Sequence, residues 1–295
     1  MTLLKSSNSF KPLRGVRILS LALNVPGPAA LMRLQSMGAI CHKIDPPSGD
    51  PMGLYQRSAY DSLHDGVKVL TADLRSDVGQ KVVHRILARA DVLLTSFRPS
   101  ALRKLGVDWK TLHKAYPGLS QVDIVGAAGA RAEEPGHDLT YMAEHGLVKG
   151  MDLPASLFAD MGGSLMAVEA VMGAVLQQRR KGKGVHIEVA LADAAAYLGL
   201  PHQWGMTTPG GLVGGGHAGY RIYNCQDGRV AMAALEPHFA LALCKAAGIG
   251  TVDRNTMLAP DTHEAIAGFV ATQTRRQLDA LALARDIPLL TLPGL

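Results

Sequence analysis

From Val16 to Tyr197 short apolar runs alternate with stretches of helical spacing. Val16-Arg17-Ile18-Leu19-Ser20-Leu21 is mostly apolar and has the length of a buried strand. Pro26-Gly27-Pro28 breaks that run, Ala29 to Met37 has helical composition, and Gly38 closes it before a second strand, Ile40-Cys41-His42-Lys43-Ile44. These pieces make a β-α-β unit. Asp45-Pro46-Pro47-Ser48-Gly49-Asp50-Pro51 reads as a rigid loop, because its prolines fix φ and its Asp and Ser side chains bond nearby backbone. Val67 to Leu74 alternates as a strand, Ser76 caps a helix to Ala88, and Asp91-Val92-Leu93-Leu94-Thr95 is the next strand. A helix over Asp108 to Ala115, a strand over Leu119 to Val125 and a Gly- and Ala-rich loop to Pro135 follow. Gly162 to Gln178 is helical and apolar on most faces, as a buried helix is, and Val185 to Val189 alternates before a helix through Tyr197.

The pattern changes between Pro201 and Gly219, where Pro209-Gly210-Gly211 and Gly214-Gly215-Gly216 suit a linker or a loop that closes over a ligand. Tyr220-Arg221-Ile222-Tyr223 and Arg229 to Ala233 then form a hairpin about Asp227-Gly228, and Glu236-Pro237 opens helical sequence that runs to about Arg285. The expected fold is α/β: a Rossmann-like large domain over residues 1–200, a linker over 201–219, and a smaller α/β domain over 220–295.

Composition narrows the function classes. The net charge is +5, yet the basic residues are scattered and the one dense cluster, Arg179-Arg180-Lys181-Gly182-Lys183, has no interleaved aromatics. A small polyanionic ligand fits this as well as nucleic acid does. The three cysteines, Cys41, Cys225 and Cys244, have no metal or disulfide spacing and read as reduced thiols. Apolar runs are interrupted well short of a membrane span, and Met1 to Pro12 lacks the apolar core of a signal peptide, so no membrane and a cytoplasmic location are expected. The turn after the first strand has no G-x-G-x-x-G, which removes the main support for a dinucleotide and hydride chemistry.

Candidate chemistry concentrates between Gly136 and Asp160. Histidine, here His137, is the side-chain type suited to proton transfer near neutral pH, and Asp160 precedes Met161-Gly162-Gly163 at the start of the long helix. The pair is equipment for moving a proton, although an N-cap aspartate and a hydrogen-bonded surface histidine would look the same locally. Arg98, in Phe97-Arg98-Pro99, follows a strand's carboxyl end, where open α/β sheets bind ligands, and reads as a phosphate contact or a solvated charge.

Pro12-Leu13-Arg14-Gly15-Val16-Arg17-Ile18-Leu19, Pro26-Gly27-Pro28, Asp45 to Pro51, Phe97-Arg98-Pro99, Gly136-His137-Asp138, Ala159-Asp160-Met161-Gly162-Gly163 and Asp227-Gly228 occur in the order seen in family III CoA-transferases. The chain resembles that family over nearly its whole length, and Gly136-His137-Asp138 with Leu235-Glu236-Pro237 is most similar to its α-methylacyl-CoA racemase branch. The resemblance implies His137 and Asp160 as bases on opposite faces of an acyl-CoA α-carbon, with Glu236 orienting the histidine. The amides of Gly162 and Gly163 are expected to face the enolate oxygen. It further implies a CoA groove at Arg98 and the Asp45-Pro46 turn, with Lys68 as a weaker contact, and no cofactor beyond the CoA carried by the substrate.

A homodimer, interlinked in the family, would bring Glu236 of one subunit to His137 and Asp160 of the other. In the family's transferases the residue matching Asp160 is a nucleophile that forms acyl and CoA intermediates, so CoA transfer between carboxylic acids is the alternative reaction. Two departures bear on CoA: Gly53 stands where many relatives carry arginine, and the loop from Gly126 to Arg131 is unlike the family's aromatic, glycine-rich version. The family's C-terminal return segment is also expected to be missing, which leaves a non-catalytic CoA-binding protein as a third reading.

Overall fold

The computed structural model describes residues 10–250, 253 and 255–294; the polar leader read before Phe10 lies outside the described residues. The chain divides into two compact units, Met1–Gly199 and Leu200–Leu295.

In the first unit β1 (Arg17–Ser20) leads to α1 (Pro26–Ser36), whose first-turn prolines forfeit no helical hydrogen bond, and then to β2 (Ile40–Asp45). Two short helices, α2 (Pro51–Tyr55) and α3 (Arg57–Leu63), precede β3 (Lys68–Thr71). The segment read as a loop to Pro51 is corrected at both ends. Asp45 closes a strand, and Pro51 opens a helix capped by Asp50, whose carboxylate accepts the Met52 N–H at 3.0 Å. Helix α4 (Asp77–Leu87) is capped by Ser76, whose Oγ accepts the Gly79 N–H at 3.0 Å, and β4 (Val92–Thr95) follows. Next come α5 (Pro99–Lys104), α6 (Trp109–Ala115) and β5 (Ser120–Val125). The crossover out of β5 carries α7 (Asp138–Glu144) and α8 (Phe158–Lys181), and ends in β6 (His186–Ala190) and α9 (Leu191–Leu198).

The six strands form one parallel sheet in the order β3-β2-β1-β4-β5-β6. Every residue of β4 and β5 is buried, as expected for central parallel strands covered on both faces. On one face Ile18, Leu94, Val122 and Ile124 pack with Leu31 of α1 and Val171 of α8; on the other Leu19, Ile44 and Leu93 pack with Val83, Leu102 and Leu112 of α4, α5 and α6. By length and hydropathy α8 would suffice for a membrane span, but Ala167, Val168, Val171, Ala174 and Val175 are buried within the unit's own core.

The second unit opens with α10 (Leu200–Gln203), and its hairpin pairs β7 (Tyr220–Cys225) with β8 (Gly228–Ala233) across a two-residue turn. Helices α11 (Pro237–Ala246), α12 (Pro260–Ala271) and α13 (Arg275–Arg285) follow, and β9 (Leu289–Leu292) returns antiparallel to β8. Val230, Met232, Leu243, Ile266, Val270 and Leu278 form this unit's separate core.

Candidate active site

Strand order reverses between β1 and β4, where open parallel sheets leave a crevice beyond their carboxyl ends. A cavity of about 170 Å³ occupies that position, and Asn24, Arg98, Gly136, His137, Tyr141 and Asp160 are among its lining residues. Asn24 follows β1, Arg98 follows β4, and the other four lie in the crossover after β5. A larger depression of about 800 Å³ in the second unit is lined mostly by apolar residues and brings no acid and base together. The chemistry belongs to the smaller cavity.

Asp160 is the third residue of α8, and its backbone N–H donates to Asp138 Oδ1 at 3.0 Å. Asp138, first in α7, is itself buried. Burial, and after it the negative charge of Asp138, push the Asp160 carboxyl up to about 6. A helix N-terminus favours the carboxylate by roughly 0.3–1 kcal/mol, against about 1.4 kcal/mol for each unit of the opposing shift. Burial therefore wins, and Asp160 titrates close to neutrality.

His137 is exposed at the N-cap position of α7. The Thr140 hydroxyl accepts the His137 N–H at 3.0 Å and donates to the His137 carbonyl at 2.7 Å, which fixes the backbone from which the imidazole projects. Tyr141, four residues after His137 and so on the same helix face, sinks its ring into the unit. A Cβ at Gly126 or Gly136 would collide with its hydroxyl, so both glycines are needed for its approach. Burial first, then the Asp160 charge, raise the Tyr141 phenol above its ordinary value.

The residues expected to bind CoA separate into two groups. Arg98 is exposed on the cavity wall just before α5, and its side chain forms no hydrogen bond or ion pair among the described residues. Asp45 is corrected: it is buried, with Lys43 Nζ at 2.6 Å and the Tyr60 hydroxyl donating at 2.6 Å, so it is committed inside the fold. Pro46 lies in the turn after β2, where its carbonyl accepts the Gly49 N–H at 2.8 Å, and does not line the cavity. Lys68 is also corrected, since it begins the edge strand β3 at the amino end of the sheet, away from the crevice.

The glycine amides are the third correction. The long helix begins at Phe158, not Gly162, and the Met161 N–H already bonds the Leu157 carbonyl at 2.9 Å. Gly162 and Gly163 lie further along, where N–H groups are consumed by the helix itself. Their small size serves packing: a Cβ at Gly162 would lie 3.1 Å from Leu198 Cδ1, and one at Gly163 would strike Leu191 Cδ2 of α9. Glu236 is exposed at the N-cap position of α11 in the second unit, and its side chain makes no cap hydrogen bond.

Sequence reasoning passed over Asp138, Tyr141 and Asn24 as site residues. Asp138 and Tyr141 carried a usable signal, being adjacent to His137 and one helical turn beyond it.

The model of CoA-transferase family III matches residues 13–292. The chain belongs to that family. An alpha-methylacyl-CoA racemase of Mus musculus is 29% identical over 289 residues, covering 90% of this chain and 73% of its own. A cinnamoyl-CoA:phenyllactate CoA-transferase of Clostridium sporogenes is 30% identical over 228 residues, covering 70% of this chain and 55% of its own. Family members of both reaction types thus stand at similar identity. Among solved structures, a CAIB/BAIF family protein from Brucella suis superposes with a TM-score of 0.78 at 24% identity, over 95% of this chain and 84% of that one. A hypothetical protein (Rv3272) of Mycobacterium tuberculosis gives a TM-score of 0.81 at 24% identity, again over 95% and 84%. These two likenesses concern the fold.

Proposed function

We propose that the protein is an acyl-CoA racemase that inverts the α-carbon of a 2-methylacyl-CoA by two-base proton transfer. The observation that carries this reading is the Asp160 carboxyl, raised to about 6 in the same cavity as His137. A general acid or base works best when its pKa lies near the working pH, a condition that Asp160 meets, and His137 supplies a second group able to take and return a proton.

In the proposed step one base takes the α-proton, the Cα–H electron pair forms a Cα=C bond, and the carbonyl π pair moves to oxygen. The protonated partner on the opposite face then returns a proton to Cα and the carbonyl reforms. Asp160 ionised and His137 protonated serve one direction, and the reverse protonation states serve the other. Arg98, on the cavity wall and with no side-chain hydrogen bond or ion pair among the described residues, is the proposed contact for the CoA phosphates, which its planar fork suits. Glu236 is proposed to complete the site from the other subunit of a homodimer. No cofactor beyond substrate-borne CoA is required.

The transferase relative keeps a second reading open, in which Asp160 attacks the thioester carbonyl and CoA leaves to be passed to another acid. One experiment separates them: a single enantiomer of a 2-methylacyl-CoA in deuterated water, with a free acid present. Racemisation predicts α-deuterium incorporation and loss of optical purity without the acid, both abolished by His137→Ala and by Asp160→Asn. CoA transfer without exchange, retained by His137→Ala and lost in Asp160→Asn, would overturn the reading.

A further inference from the structure

An enolate oxygen, like the oxyanion of a thioester under attack, needs a hydrogen-bond donor aimed at it. The glycine amides of α8 are spent inside the helix, and the Asp160 N–H is held by Asp138 at 3.0 Å. A side-chain donor on the cavity wall can supply it. Tyr141 is buried with its hydroxyl confined by Gly126 and Gly136, Ser96 Oγ is anchored by accepting the Leu23 N–H at 3.0 Å but keeps its own proton to donate, and Arg98 is exposed. Asn24 is half-buried, lines the cavity, and its carboxamide makes no hydrogen bond among the described residues.

The backbone of Asn24 is held in an uncommon state. Its φ is 63°, and among the described non-glycine residues only Asp286, ending α13, shares a positive φ. Asparagine tolerates this region better than most residues, but such a conformation persists where its surroundings over-determine it. Here the Asn24 N–H meets both carboxylate oxygens of Asp50, at 3.0 and 3.2 Å. Asp50 is buried and takes the ammonium of fully buried Lys43 at 2.6 Å; Lys43 also lies 2.6 Å from Asp45, to which Tyr60 donates. Three buried charges thus converge on one backbone angle at the cavity rim.

We propose that Asn24 Nδ2–H is the donor to the thioester carbonyl oxygen, and that Asp50 and Lys43 are positioning residues acting through it. The inference rests on the acyl-CoA reading above but not on the choice of reaction, since proton exchange and CoA transfer both place charge on that oxygen.

Two variants separate side chain from backbone. Asn24→Gly accepts the left-handed backbone and removes the carboxamide; Asn24→Asp keeps size and backbone tolerance but removes the donor. In the full chain, with 2-methylacyl-CoA and a free acid, each should lower kcat about 100-fold or more for whichever reaction the wild type performs, while the melting temperature and CoA affinity hold. Asp50→Asn should lower kcat in the wild-type background and by nothing further in Asn24→Gly, the non-additivity expected of one residue acting through another. If Asp50→Asn does not fold, the two Asn24 variants still decide the donor. Wild-type kcat in Asn24→Gly would overturn the proposal, and an Asp50→Asn loss undiminished in the Asn24→Gly background would overturn its positioning half. Transfer without exchange in the wild type defeats the racemase reading but leaves this test intact; neither reaction in the wild type defeats both.

Discussion

Asp160 titrates in the range where an enzyme of this kind works, and that has two measurable consequences. The acid limb of kcat/KM should follow a group near 6, and Asp138→Asn should move that limb to lower pH, because it removes the second cause of the shift while leaving burial in place. An acid limb unmoved by Asp138→Asn would contradict the electrostatic coupling. The same shift bears on stability. Because the folded pKa lies above the ordinary carboxyl value of 3.8, protonated Asp160 is favoured by the fold; that contribution is complete below 3.8 and is lost as pH rises through about 6. Asp160→Asn is therefore expected to stabilise the chain above pH about 6, by on the order of 1–3 kcal/mol, and to change little near pH 3, while abolishing activity. Urea unfolding at the two pH values checks the sign, and equal stability at both would count against a buried, charge-opposed carboxylate.

Helix α8 presents small residues to α9, and that contact tests the reassignment of its glycines. Alanine is favoured over glycine in a helix by about 1 kcal/mol, yet Gly163→Ala should destabilise by about 1–3 kcal/mol because its Cβ meets Leu191 Cδ2. A stabilised variant in urea titration would contradict the packing role given to Gly163. The difference is one of helix boundary: Phe158 and Ala159 carry no start signal, so the pattern places the helix start at Gly162, whereas the helix begins at Phe158 with Asp160 as its third residue. Boundaries elsewhere were easier, since the strands of the first unit are apolar runs bounded by Gly, Pro or a Ser cap. Helices α2, α3, α5, α7 and α10 are too short for a 3.6-residue period to declare itself, and β9 is only four residues with no alternation to mark it as a strand. At the site, His137, Asp160 and Arg98 were legible as residue types at the ends of elements. The commitment of Asp45 to Lys43 was not, because a lysine in an apolar strand is ordinarily exposed and only the folded sheet shows it buried between two carboxylates.

Over the whole molecule, His137 and Asp160 lie in the first unit and Glu236 in the second. If Glu236 comes from the other subunit, inactive His137→Ala and weakened Glu236→Gln chains, unfolded together and reassociated, should form mixed dimers with one intact site each. Activity above that of either parent, approaching roughly a quarter of wild type, is the expected result for a two-fold dimer, and no gain over the parents would place the site within one chain. The connection between β5 and β6 has a further consequence, in the order of assembly. Those neighbours pair in parallel, Gln121 beside His186, only after the chain from Val125 to His186 has closed on itself, and such long-range closures come late in folding. His137 and Asp160 both ride on that connection, and β6, where it ends, is the outermost strand on its side of the sheet. A nascent chain still short of His186 already contains both residues and the strands β1, β4 and β5, but lacks the edge strand that ends their connection. The closure that brackets His137 and Asp160 is then expected among the later steps by which the first unit forms during synthesis.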